Sequence, residues 1–183
     1  MSRIGAAIFV VLSVAYPLVV YWAMGRFEPR WLAVLLLVLA LLRAAATRQA
    51  VWLAAAAGAA LLATLATVFN EALPLKLYPA LVNAVLLVVF ATSLVFPPSA
   101  VERIARLTEP DLPPEGVAYT RRVTQVWCVF FVFNGTLALV TALWMSDGAW
   151  ALYNGLIAYV LIGVLFSIEW LVRRRVRARH SHG

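Results

Sequence analysis

Long apolar stretches follow one another along the chain with short polar breaks between them, at 4–24, 31–46, 50–69, 75–96, 123–145 and 150–172. A helix needs about 20 mainly apolar residues to cross a hydrocarbon core about 30 Å thick. Lipid offers no water to the backbone, so each crossing segment has to satisfy its own N–H and C=O groups, which a helix does. The pattern therefore predicts an all-α polytopic membrane bundle of about six transmembrane helices, forming a single domain over 1–183. The second stretch is the weakest. Its uninterrupted part, 31–42, would cover about 18 Å as a helix. Continuing through Arg43 to Ala46 lengthens it, because the guanidinium can snorkel to the headgroups; a re-entrant or tilted segment is the alternative. If it failed to cross, five spans would remain and the N-terminus would change sides. The first stretch follows Met1-Ser2-Arg3 and contains Pro17, Tyr21 and Trp22 instead of a small-residue cleavage site. It is expected to stay as a helix and not to be removed as a signal.

The breaks alternate in charge. Arg3, Arg43, Arg48, Arg103, Arg106, Arg121, Arg122, Arg173, Arg174, Arg175, Arg177 and Arg179 fall on one side; Arg26, Arg30 and Lys76 fall on the other. Twelve against three places the rich side, and with it both termini, in the cytoplasm. The expected location is thus a membrane, crossed several times. On the opposite side the gaps are short: 25–30, 70–74 and 146–149, the last being the tightest turn. Trp22, Trp31, Tyr78, Trp144, Trp150 and Tyr153 gather near that boundary, where amphipathic rings are expected to anchor at the headgroup level.

The one substantial break is the cytoplasmic loop 97–122. Pro97-Pro98 stops the fourth span, and Ser99 with Glu102 three residues on reads as a capping box. A short helix from Ala100 to about Leu107 would set Val101, Ile104, Ala105 and Leu107 on or beside one apolar face. Arg103 and Arg106 would point to water or lipid phosphate, which suits a helix lying in the interface. The stretch 108–116 is too rich in proline to remain helical. Glu102, Arg103, Arg106, Arg121 and Arg122 are the candidate docking residues of this loop; a plain surface elbow is the alternative.

Composition agrees with the pattern and adds exclusions. Hydrophobic residues make up 64% of the chain, against about 45–50% for a soluble domain. The formal charge of +7 reflects the loop bias and no basic domain, so nucleic acid is not an expected partner. The single cysteine, Cys128, excludes an intrachain disulfide and reads as a small hydrophobe. His180 and His182 lie in the arginine-rich tail 173–183, away from any span. Metal-ligand spacings, a phosphate-cradling loop and a catalytic acid pair are all missing from the sequence. The expectation is a protein that is not an enzyme and holds no cofactor or metal.

Polar residues inside spans are costly and therefore informative. Glu169 stands four residues before Arg173, a spacing that offers an ion pair at a helix end. Asn83, Asn134 and Asn154 lie inside the last three spans, and the latter two are followed by glycine. Glycine permits close helix approach and the amide can bond across the contact, so the three form a candidate polar bundle or pocket. Asn83 and Asn154 are expected toward the outer leaflet and Asn134 near the middle. Ala54, Gly58 and Leu62, with Ala55, Ala59 and Ala63, give the third span a small-residue packing face.

Several of these features also occur together in known proteins. Tyr16-Pro17-Leu18-Val19-Val20 lies in the first span, Asn70-Glu71 precedes a fourth span begun by lysine, and a proline stop, an amphipathic segment and a proline elbow follow. With Val126-Trp127-Cys128-Val129-Phe130-Phe131-Val132-Phe133-Asn134-Gly135, this order resembles the bacterial septation protein A-like family of inner-membrane proteins. It is more similar still to a related uncharacterised group, some of whose genes lie among those for aryl-polyene synthesis. The resemblance runs over essentially the whole chain, is best from Lys76 to Tyr159, and brings no catalytic residue. The arginine-rich tail and the acidic elbow, 109–115, depart from the shorter family pattern. What the resemblance implies is a part in envelope maintenance through contacts with lipid or with other inner-membrane proteins. A carrier or accessory for a lipid-like or aryl-polyene product, using the asparagines, is the alternative.

Overall fold

The computed structural model describes residues 18–23, 31, 34, 38, 50–69 and 71–180, and the side chains of these except at 50–55 and 175–180. Its elements are α1 (Ala50–Phe69), α2 (Leu73–Lys76), α3 (Tyr78–Val95), α4 (Ala100–Ala105), α5 (Pro114–Trp144), α6 (Asp147–Leu152), a π-helical segment (Tyr153–Ile157) and α7 (Ala158–His180). No strand occurs among the described residues. Among the described residues three helical stretches are long and apolar enough to cross a membrane: Leu73–Val95, Pro114–Trp144 and Asp147–Arg174. The expected third span is an unbroken 20-residue helix, α1. Of the first two expected spans, residues 18–23 and Trp31, Val34 and Val38 are helical. The rest of those spans, with Arg43 and Asn70, lies outside the described residues.

Several boundaries differ from the sequence expectation. The expected fourth span is two helices, α2 and α3, joined at Leu77. Pro79 has no N–H with which to continue the ladder there, while the Leu77 N–H is shared between the carbonyls of Leu73 and Pro74. α5 starts at Pro114, well before the apolar run begins at 123, so the end of the expected loop is helical. Proline is favoured in a first helical turn, where its missing N–H costs nothing, and Pro113 is extended, as an N-cap should be. At 31 residues, α5 measures about 46 Å. The basic tail continues α7 in helical form to His180. The turn at 146–149 shortens to Met145 and Ser146, because the Ser146 hydroxyl accepts the Ala149 N–H at 3.3 Å and starts α6 at once.

α3 and α5 form the central helix pair, with α1 against α3. The buried positions of α5 are Thr120, Thr124, Trp127, Phe131, Asn134, Ala138, Thr141 and Ala142. Spacings alternating between four and three make a coiled-coil-like seam. On α1 the buried positions are Ala56, Ala59, Ala63 and Ala66. Of the expected small-residue face, Ala59 and Ala63 are buried and Gly58 stands against Leu81, with Ala56 and Ala66 joining them; the side chains of Ala54 and Ala55 lie outside the described residues. The core at one end joins Val20, Ala63, Ala66, Leu75, Ala142, Trp150 and Ala151. Toward the other end, Phe90, Trp127, Phe131 and Phe166 stack, with Trp127 and Phe166 centroids 4.9 Å apart.

Candidate functional site: a polar seam between apolar helices

The α5 seam is where the polar side chains collect. Asn134 projects from α5 toward α3, and its Nδ2 donates to Asn83 Oδ1 at 3.1 Å. Asn83 Nδ2 donates in turn to the carbonyl of Pro79, one turn back, at 2.8 Å. On the other side the Tyr153 hydroxyl donates to Asn134 Oδ1 at 2.8 Å. A chain of three bonds thus ties α3, α5 and the π segment, and all three side chains are buried. Gly135 makes the approach possible: a Cβ there would stand 3.0 Å from Asn83 Cβ.

Asn154 takes no part in that chain. Its Nδ2 donates to Thr141 Oγ1 at 3.2 Å and to the Trp150 carbonyl at 2.9 Å. Thr141 itself donates to Ala138 O. The three asparagines are therefore two neighbouring networks rather than one pocket. Asn83 and Asn134 are level with each other, not separated in depth as expected. What unites the networks is the π segment. Tyr153, Asn154 and Gly155 are consecutive and all buried. Three successive residues of an α-helix sweep about 200° and cannot all face one neighbour. The i→i+5 bond from Ala158 N–H to Tyr153 O widens the turn and lets Tyr153 reach Asn134 while Asn154 reaches Thr141.

Beyond one end of the seam lies a group that the pattern of apolar runs does not reveal. Lys76, the only lysine of the chain, donates from Nζ to Asp147 Oδ1 at 2.9 Å. The lysine side chain is 10% exposed and the aspartate 56%. Trp150 Nε1 donates to the Lys76 carbonyl at 3.0 Å. Trp150 is fully buried and Tyr153 nearly so, so neither is the boundary anchor the sequence suggests; each is a packing and hydrogen-bonding residue. Trp22, Trp31 and Trp144 are exposed, as such anchors would be. The legible signal for the missed group was a lone lysine flanked by apolar residues, with an aspartate next to a capping serine.

At the opposite end the capping box forms as spaced. Ser99 Oγ accepts Glu102 N–H, and Glu102 Oε2 accepts Ser99 N–H. Glu102 is buried and holds Arg106 through a salt bridge of 2.8 Å. Arg106 also donates to the Pro110 carbonyl, and Arg103 to those of Pro98 and Phe96. Arg103 is exposed and Arg106 partly so, while both also hold these backbone carbonyls. Ser93 and Thr124 accept the N–H groups of Ala100 and Val101, docking α4 on α3 and α5. The buried face of α4 is Ser99, Glu102 and Ala105, while Ile104 and Leu107 are 61% and 82% exposed. Of the expected apolar face, Ala105 is buried and Val101 half-buried, while Ile104 and Leu107 stay outside, and the helix ends at Ala105, before Leu107. Arg121 and Arg122 are exposed on α5.

Glu169 and Arg173 pair at 3.5 Å, and the Tyr119 hydroxyl, a third partner, donates to the Glu169 carbonyl at 3.2 Å. Among the described residues no cluster of three potential metal ligands occurs. Among the described residues all ten buried polar side chains, from Lys76 to Asn154, are engaged in the bonds above or with a carbonyl of their own helix. Chemically the arrangement crosslinks helices. Compared with protein-family models, curated proteins and solved structures, the chain matches none.

Proposed function

We propose that this chain is a non-enzymatic, multi-pass protein of the bacterial inner membrane, with both termini cytoplasmic, that supports envelope maintenance through protein or lipid contacts. The resemblance to septation protein A-like proteins points the same way. The observation that carries the reading is the inverted build of α4. Its N-cap Ser99 and Glu102 turn inward, while Ile104 on the helix and Leu107 in the turn after it stand outward. Large apolar residues held out by a buried capping box belong against a bilayer interface or an apolar partner face. The spent polar seam supports the same reading over the carrier alternative, since a pocket for a polyene or lipid-like cargo would need asparagines that are not already bonded to each other.

A photo-crosslinking residue placed at Leu107 in living cells tests the proposal. The expected product is a discrete adduct with an inner-membrane protein or with phospholipid. Loss of the gene is expected to raise sensitivity to detergent, with rescue by wild type and not by a Leu107→Glu variant that still inserts. No adduct, with an unaltered envelope, would contradict it.

A further inference from the structure

At the end of the molecule that carries Arg121, Arg122, Arg173 and Arg174, the arginines divide into two kinds. Arg103 caps carbonyls, Arg106 is held by Glu102, and Arg173 is held by Glu169. Arg121, Arg122 and Arg174 have no acidic partner among the described residues. The bond from Tyr119 to Glu169 brings the two groups to one end of the bundle. Arg121 and Arg122 follow Tyr119 directly on α5, and Arg174 is a little over one turn past Glu169 on α7.

Arg174 is held in place without being neutralised. Its guanidinium carbon lies 4.7 Å above the Trp170 ring. Stacking uses the flat face of the group and leaves the N–H edge free for an oxyanion. Beneath it, on the apolar side, Phe166, Ser167, Trp170 and Leu171 line a shallow open depression. Positions 166, 170 and 174 recur every four residues and so share one helix face. Phe166 and Leu171 are about half exposed, while the Ser167 hydroxyl already donates to the Gly163 carbonyl, so the depression is mainly apolar.

From this juxtaposition we infer that the α7 face from Phe166 to Arg174 is a seat for an anionic phospholipid, its phosphate on Arg174 with Arg121 and Arg122 nearby, and its acyl chain along Phe166 and Leu171. Charge complementarity selects the anion. The apolar strip directly below it selects a lipid over a soluble acidic partner, which would leave the strip unfilled. The inference deepens the lipid contact proposed above and rests on that reading for its membrane setting.

The test uses the full chain in zwitterionic detergent, followed by native mass spectrometry with dioleoylphosphatidylglycerol, with dioleoylphosphatidylcholine as the neutral lipid and sodium phosphate as the anion alone. The expected result is about tenfold preference for phosphatidylglycerol. Arg174→Gln should lose about tenfold of that binding, and Trp170→Leu, which keeps the charge, about threefold. Arg103→Gln removes an equal charge whose side chain is already committed and should leave binding unchanged. Equal loss in Arg103→Gln and Arg174→Gln would overturn the seat in favour of diffuse attraction. So would unaltered binding in both Arg174→Gln and Trp170→Leu, or displacement of the lipid by equimolar phosphate. Micelles have no sides, so an inverted orientation in cells would sink the functional reading while leaving this result intact.

Discussion

Asn134 has a partner on each side, Tyr153 giving to its oxygen and Asn83 receiving from its nitrogen. Replacing it strands both, whereas replacing Tyr153 strands neither asparagine's contact with the other. Asn134→Leu is therefore expected to destabilise the protein by about 1 kcal/mol, and Tyr153→Phe by about half that, read from reversible unfolding in mixed micelles. The Lys76–Asp147 pair is asymmetric in the same way. Asp147→Ala leaves a buried ammonium without its acceptor, while Lys76→Met removes the charge and leaves an aspartate already facing water. Asp147→Ala should cost about 2 kcal/mol, Lys76→Met clearly less, and Lys76→Met added to Asp147→Ala should recover part of the loss. The asparagines were visible in the sequence because amides stand out in an apolar run. Their partners were not. Tyr153 and Trp150 look like boundary aromatics until the chain is folded, since an amphipathic ring suits the headgroup level and a buried hydrogen bond equally well.

Helices were the most legible feature, since apolar runs and proline breaks state where they lie. Their buried faces were harder to see. In a soluble helix the apolar stripe marks the core, but here nearly every position is apolar, and the buried stripe of α5 is set apart by its threonines, asparagine and alanines around Trp127 and Phe131. The Thr120-to-Thr141 seam is readable only once that pattern is recognised. The π segment had no sequence signature, because it arises from two asparagine networks competing for one turn. Helix contacts make a graded prediction at three glycines. Gly135→Ala forces a Cβ against the Cβ of Asn83, which moves only with its backbone, and should cost about 1–3 kcal/mol. Gly58→Ala meets the tip of the Leu81 side chain, which can turn aside, and should cost less. Gly163→Ala meets nothing within 4 Å and should be neutral or gain up to about 1 kcal/mol from helix propensity. Thermal unfolding in a single detergent ranks all three.

For the whole molecule, the described helices agree with a bundle whose polar groups are turned inward and whose ends differ in charge. The Lys76–Asp147 latch closes one end; capped carbonyls and free arginines mark the other. The proposed orientation rests on the twelve-to-three charge bias, which is a property of loops and not of packing. Thiol accessibility in intact cells tests this arrangement most directly. In a Cys128→Ser background, Ser146→Cys should react with a membrane-impermeant maleimide added outside, because Ser146 lies at the turn before α6. Asp111→Cys, in the loop between α4 and α5, should react only after the inner membrane is permeabilised. Labelling of Asp111→Cys from outside with Ser146→Cys protected would contradict the orientation, and equal labelling of both without permeabilisation would contradict a membrane-spanning bundle.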